Sequence, residues 1–178
     1  MRNEQFKTVY AEEIFEAAQK KEDKIFYNSS EDHAIIVHQA LAKYAESYID
    51  ILSSSMCTEI SNNNDYLAYI KEFLEKSASH RINIILLNYN EAFLSSPIAG
   101  ILKEFPLQAT VKRFGGQVMY NNKPVHFTVT DDRAFRIETD IEKHMAFGNF
   151  NSPTQAISLK NKFEKIFQSK LVESVNLC

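Results

Sequence analysis

The order of helix-like and strand-like segments changes at Pro106, and this change constrains the fold more than any other feature. Before Pro106, segments with apolar residues at three- to four-residue spacing alternate with short apolar runs, which is typical of helices alternating with strands. Helices are predicted near 4–20, 29–44, 62–74 and 96–105, with strands at 24–27, 48–52 and 81–87. After Pro106, strand-like segments follow one another at 109–114, 117–120, 125–130, 134–139 and 144–147, and a helix that opens at Ser152 follows them.

The segment 81–87 is the strongest strand candidate in the chain. Its sequence, Arg-Ile-Asn-Ile-Ile-Leu-Leu, is almost continuously apolar, which indicates a strand that is covered on both of its faces. Together with the alternation before Pro106, this predicts an α/β fold. The chain has only 4 Gly and 4 Pro, which leaves little room for a linker, so we expect one domain over residues 1–178.

Short polar segments separate the later strands. Gly115-Gly116 is a hairpin signal, and Asp131-Asp132 is a weaker one. The two aspartates are expected to form a tight turn in which their side chains bond the local backbone, and a pair of active-site carboxylates is the alternative. The sequence Ser-Pro-Thr-Gln at 152–155 predicts a capping box, with Pro153 in the first turn of the last helix.

Composition excludes several classes of protein. The 20 Lys and Arg and 23 Asp and Glu give a formal charge of −3, whereas proteins that bind nucleic acid through its phosphates are usually basic. Cys57 and Cys178 do not form a zinc pattern or a disulfide framework, which favours reduced thiols in a cytoplasm. No signal peptide is evident, and no apolar run approaches the roughly 20 residues that span a bilayer. We therefore expect a cytoplasmic protein with no membrane partner.

The last third of the chain carries a partial motif. It contains a histidine at the start of an alternating strand, an Asp-x-x-x-x-Arg segment and an Ala-x-x-x-Phe-Asn segment before the last helix: His126, Asp131 with Arg136, and Ala146 with Phe150-Asn151. This pattern resembles the catalytically degenerate phospholipase D-like domains of small bacterial proteins. The order of the elements resembles one half of the phospholipase D fold, which implies a mixed sheet flanked by helices. The resemblance covers about 150 residues by element order and about 40 by motif.

The resemblance also implies which chemistry is lost. Active members carry His-x-Lys, an aspartate five residues after the lysine, and then Gly-Ser-x-Asn. Here Thr128 stands at the lysine position and Arg133 at the aspartate position. In the active family two halves meet, so that one histidine attacks phosphorus while the other protonates the leaving group, and lysines and asparagines hold the phosphate charge. One such half would need a homodimer for activity.

Five residues are candidates for a ligand cleft. By resemblance, His126 matches the nucleophile; the alternative is a histidine that is hydrogen-bonded at the end of the sheet. Asn149 or Asn151 matches the amide that orients the phosphate; the alternative is that both asparagines belong to the loop and cap before the last helix. Arg136 and Glu138 alternate along one strand and share a face, so they form either a buried polar cluster beside His126 or a solvated pair. The remaining histidines show no ligand spacing, so no metal is expected, and no cofactor is indicated.

These observations favour a non-catalytic phospholipase D-like domain, a pseudoenzyme that acts as a ligand-binding, regulatory or protein-interaction module. We expect a homodimer that binds either a small phosphorylated or anionic ligand or a protein partner. Nucleic acid is not an expected partner. The alternative is a homodimeric phosphodiesterase or nuclease with an altered His-x-Lys site, in which Arg133 or Arg136 replaces the lysine. A third hypothesis is a structural partner in a larger assembly, which needs no pocket.

Overall fold

The structure is a computed structural model that describes residues 2–177, with side chains from residue 7 onward; Cys178 lies outside the described residues. Helices alternate with strands through the first half of the chain. The elements there are α1 (Arg2–Lys20), β1 (Ile25–Asn28), α2 (Glu31–Lys43), β2 (Tyr48–Ser53), α3 (Asn64–Lys76), β3 (Arg81–Leu86), a 3₁₀ turn (Glu91–Ser95) and α4 (Pro97–Glu104). The second half contains β4 (Ala109–Phe114), β5 (Met119–Tyr120), β6 (Lys123–Pro124), β7 (His126–Thr130), β8 (Ala134–Asp140), β9 (Met145–Asn149), α5 (Pro153–Phe167) and β10 (Val172–Ser174).

The strands form a mixed sheet, as predicted. Within the described residues the eight-stranded sheet has the order β1-β9-β8-β7-β2-β3-β4-β10. Strands β2, β3 and β4 are parallel, whereas β7 runs antiparallel to β2, and β8, β9 and β1 continue antiparallel. The parallel part therefore comes from the first half of the chain and β4, and the antiparallel part comes mainly from the second half.

Helices cover both faces of this sheet. Helices α3 and α4 pack on one face of β2 to β4, where Ile82 and Ile84 belong to one apolar cluster. On the opposite face, Ile85 and Phe127 pack with the Phe163 side of α5. Helices α1 and α2 pack near β1 and the start of β8 in a third cluster. Strand β3 is thus buried on both faces, as its apolar run predicted.

Two predictions of local hydrogen bonding, a hairpin at Gly115-Gly116 and a capping box at Ser152, were wrong. Gly115-Gly116 does not close a hairpin, because β4 pairs with β3 and β10 rather than with the strand that follows it. The Ser152 side chain makes no capping bond; its backbone N–H instead donates to the Arg133 carbonyl, while Gln155 donates to the Tyr120 hydroxyl. Helix α5 nevertheless begins at Pro153, as predicted.

The Asp131-Asp132 turn is confirmed, but its bonds are long-range. Both aspartates have positive φ, as a tight hairpin between β7 and β8 requires. The Asp131 carboxylate accepts from the backbone N–H groups of Glu46, Ser47 and Tyr48, at 2.8, 2.8 and 3.3 Å. The local backbone bonds expected for Asp131 are therefore replaced by an attachment of the β7–β8 turn to the start of β2.

Candidate functional site

A cavity of about 250 Å³ lies between the sheet and helices α2 and α3. It opens at the carboxyl end of β2, where parallel pairing with β3 gives way to antiparallel pairing with β7. Ligands of open α/β sheets bind outside the carboxyl ends of strands, at points where the strand order changes. We call this space the central cavity.

Strands β7 and β8 place three of the predicted site residues on one wall of the central cavity. The register sets His126 opposite Glu138 and Thr128 opposite Arg136, and all four side chains lie on the same face of the sheet. Nδ1 of His126 lies 3.0 Å from Oε2 of Glu138, and Nη2 of Arg136 donates to Oε1 of Glu138 at 3.0 Å. A carboxylate can only accept, so Nδ1 of His126 is the donor to Glu138, and Nε2 is left for another partner.

The Arg136–Glu138 pair is buried and charged. Arg136 is 2% exposed and Glu138 is 6% exposed. Burial acts to raise the pKa of Glu138, but the hydrogen bond from His126 and the charge and hydrogen bond of Arg136 outweigh it and lower that pKa to about 2. Burial lowers the pKa of Arg136, and the charge of Glu138 opposes this effect. Since an arginine stays protonated in proteins, the pair has no net charge at neutral pH.

His144 and Asn28 complete this polar cluster. Nδ1 of His144 lies 3.3 Å from Oε1 of Glu138, so two imidazoles share one carboxylate. Asn28 at the end of β1 accepts from Nε of Arg136 at 3.1 Å and donates to the His144 carbonyl at 2.6 Å. His144 has a φ of 52°, a left-handed conformation that the bond from Asn28 helps to hold. The guanidinium of Arg136 is therefore fixed between two strands and a turn.

The helical wall contributes His38 of α2 and Tyr66 of α3. Their rings meet edge to face, with centroids 5.8 Å apart. Burial, followed by the charge of Arg136, lowers the pKa of His38 to about 3, although Glu138 acts in the opposite direction. His38 is therefore neutral at physiological pH. Between the two walls, apolar side chains line the central cavity: Ile51, Met56, Ile60 and Ile141.

Comparison with known structures identifies the fold. No family model matches the chain, and no curated protein matches it. NucT from Helicobacter pylori superposes with a TM-score of 0.59 at 14% identity, over 85% of this chain and 98% of NucT. Phosphatidylserine synthase from Haemophilus influenzae Rd KW20 gives 0.50 at 12% identity, over 85% of this chain and 39% of the synthase. Both of these proteins are phospholipase D-like. The chain has a phospholipase D-like fold.

A third similar structure is that of TrmBL2, an archaeal chromatin protein that shows a novel mode of DNA binding. It superposes with a TM-score of 0.60 at 12% identity, and the match covers 98% of this chain. The chain spans 64% of the length of TrmBL2. At this level of identity the three likenesses concern the fold alone, and function has to be argued from the site.

In this phospholipase D-like fold, the cationic side chain beside the strand of His126 is Arg136, which lies on the neighbouring strand β8 and not at the lysine position of the family pattern. The lysine position of the family pattern holds Thr128, which is buried, and its neighbour across the ladder is Arg136. Arg133, the other arginine considered from the sequence, does not enter the central cavity. Its guanidinium donates to the carbonyls of Phe150 and Tyr44, at 3.0 and 2.9 Å, and so serves to join chain segments.

Asn149 and Asn151 lie outside the central cavity, contrary to the expectation for the cleft. In the β8–β9 ladder Arg136 faces Gly148 and Glu138 faces Ala146, so Asn149 projects to the opposite side of the sheet. There Asn149 donates to Asp23 at 2.8 Å and accepts from the backbone N–H of Asn151 at 2.7 Å. Asn149 is one residue beyond Gly148 and therefore points away from the central cavity, and both asparagines contribute to the structure just before α5.

Several cavity residues were missed by sequence reasoning. Asn28 ends a four-residue strand, and His38 and Tyr66 lie within ordinary amphipathic helices, so neither periodicity nor spacing marks them. In the part of the chain that the structure describes, no group of three or more His, Cys, Asp or Glu side chains is arranged to hold a metal ion. No described helix is long and apolar enough to cross a membrane.

Proposed function

We propose that this phospholipase D-like domain binds a small molecule in the central cavity and does not hydrolyse phosphodiesters. It acts as a regulatory or interaction module whose state depends on that ligand. The observation that carries this proposal is the engagement of Arg136 by Glu138 and Asn28. Among the described residues that line the central cavity, Arg136 is the one arginine or lysine, so no free cation is left to stabilise a phosphoryl transition state.

The shape and lining of the central cavity support a binding role. Small-molecule sites are concave, mostly apolar and supplied with a few convergent polar groups. Here the apolar side chains of Ile51, Met56 and Ile60 lie beside a polar cluster at the carboxyl end of β2. A pocket of this kind is also what separates a binding module from a purely structural partner in a larger assembly.

The second candidate is a homodimeric phosphodiesterase, and one observation favours it. Glu138 holds Nδ1 of His126 at 3.0 Å, and a carboxylate placed in this way orients the ring so that an unprotonated Nε2 would be the nucleophile. Such an enzyme would have to use Arg136 in place of the family's lysine. That role requires the guanidinium to leave a carboxylate whose charge it neutralises, which weighs against catalysis.

Hydrolysis assays separate the two candidates. Purified protein is incubated with bis(4-nitrophenyl) phosphate and with single- and double-stranded DNA, and His126→Ala is compared with His33→Ala, a helix histidine outside the central cavity. The oligomeric state is measured on the same samples. We expect no turnover above the level of His126→Ala. Turnover that is lost in His126→Ala and kept in His33→Ala would overturn the proposal in favour of the phosphodiesterase.

DNA binding is tested on the same samples, because TrmBL2 is a DNA-binding protein. The formal charge of −3 predicts no appreciable affinity at physiological salt, since phosphate neutralisation drives such binding. A mobility shift that weakens steeply with salt would contradict this expectation and make DNA the partner.

A further inference from the structure

Three side chains on the walls of the central cavity carry polar groups that are available to a ligand. No hydrogen bond joins the hydroxyl of Tyr66 or of Thr128 to another described residue, and the same holds for the ring nitrogens of His38. Polar groups that converge on a mostly apolar pocket are those that orient a bound small molecule. All three side chains line the central cavity, so one ligand could satisfy them together.

The charges on the walls exclude a strongly charged ligand. Arg136 and Glu138 are the Arg, Lys, Asp or Glu side chains among the described lining residues, and they neutralise each other at 3.0 Å. An anion would lie close to the Glu138 carboxylate with no free arginine or lysine to balance it. A cation would meet the Arg136 guanidinium in the same way. Burying a charge without a partner is costly, so the walls disfavour both kinds of ligand.

The hydrogen-bonding groups that face the central cavity are both donors and acceptors. Because Nδ1 of His126 and Nδ1 of His144 are directed to Glu138, the Nε2 atoms of both rings are left for a ligand. The hydroxyls of Tyr66 and Thr128 can donate or accept. A volume of about 250 Å³ corresponds to roughly eight water molecules at ~30 Å³ each, which fits a ligand of on the order of ten non-hydrogen atoms.

We infer that the central cavity selects an uncharged small molecule that both donates and accepts hydrogen bonds and has an apolar face, and that Tyr66 and Thr128 are contacts that determine this selectivity. This inference rests on the proposed binding function and replaces the phosphorylated or anionic ligand expected from the sequence. Selection arises because a site whose hydroxyls are positioned to bond a ligand rejects molecules that cannot bond them.

The test uses matched fragments that differ in charge. Nicotinamide and nicotinate, and glucose, glucuronate and glucosamine, are included in a fragment library screened by ligand-observed NMR at neutral pH. We expect binding to concentrate among the neutral members. For each neutral hit, Tyr66→Phe and Thr128→Val remove one hydroxyl each, and we expect an affinity loss of about tenfold for either change.

Control measurements distinguish a ligand contact from a structural role. Tyr69→Phe lies on the same helix but outside the central cavity, beside Lys43, and should leave binding unchanged. The unliganded Tyr66→Phe protein should be at least as stable as the wild type, because its hydroxyl has no partner to lose. Tighter binding of anionic or cationic members, or neutral hits insensitive to both hydroxyl deletions, would overturn the inference and leave the binding function standing. Absence of any hit would overturn both.

Discussion

Replacing Glu138 with glutamine tests whether the polar cluster is a charged, coupled unit. The substitution keeps the shape of the side chain but leaves the Arg136 guanidinium buried without a countercharge. Removing one partner of a buried ion pair typically costs about 3–5 kcal/mol. The pKa of Glu138 gives a second estimate of this loss of stability. A decrease from 4.5 to about 2 corresponds to about 3 kcal/mol, at roughly 1.4 kcal/mol for each pKa unit.

The pH dependence of this difference follows from the direction of the pKa change. Because folding lowers the pKa of Glu138, its contribution to stability is complete above about pH 4.5 and is lost as the pH falls toward 2. Urea denaturation of wild type and Glu138→Gln should therefore differ by about 3 kcal/mol at pH 7, and the difference should shrink below pH 4.5.

A double variant gives the control for this prediction. In Arg136→Met/Glu138→Gln the unpaired charge is gone, so most of the loss in the single variant should be recovered. A cost below about 1 kcal/mol for Glu138→Gln at pH 7 would place the pair among exposed, weakly coupled ion pairs and refute the reasoning. The same result would weaken the inferred preference for an uncharged ligand, since that preference requires Arg136 to be committed to Glu138.

Three further substitutions test the sheet and its attachments, each by urea denaturation. Asp50→Asn should stabilise the protein by up to about 3 kcal/mol above pH 6 and have no effect below pH 3.8, because burial raises the pKa of this carboxyl from 3.8 to about 6. A difference in unfolding free energy between wild type and variant that stays the same from pH 3.8 to pH 6 would refute this prediction. Gly148→Ala should destabilise by at least about 2 kcal/mol, since an added Cβ would lie 2.2 Å from the Phe135 carbonyl oxygen, and a neutral effect would contradict the close approach. Asp131→Ala should cost about 2 kcal/mol by leaving backbone N–H groups at the start of β2 without their acceptor, whereas the exposed control Asp132→Ala should cost less than about 1 kcal/mol.

The fold class could be predicted from the sequence because periodicity records which faces of an element are buried. The apolar run at Arg81–Leu86 marked a strand covered on both faces, and the alternation before Pro106 indicated an α/β domain. Strand pairing over long distances leaves no such local signal. Strand β10 and its pairing with β4 were therefore missed, and Gly115-Gly116 was mistaken for a hairpin turn.

The candidate site was predicted in part for the same reason. His126, Arg136 and Glu138 were found because alternation within β7 and β8 fixes which side chains share a face. Asn149 was assigned to the wrong side because its direction depends on the register between β8 and β9, which sequence spacing does not determine. His38 and Tyr66 were missed because they reach the site through the packing of α2 and α3 on the sheet, and their helices carry no motif.

The pairing of β2 with β7 also has a consequence for synthesis on the ribosome. Strands β2, β3 and β4 can assemble as soon as they emerge, but the outer edge of β2 then stays open until the chain has been made through β7. Strand β1 waits longer still, because its partner β9 is formed after β8. A nascent chain thus carries an unpaired, apolar strand edge through much of its elongation, and such edges recruit other chains. Slow translation after β4, or truncation before β7, would lengthen that exposure, which makes the interval between β4 and β7 the stage at which chaperones would matter most for this protein.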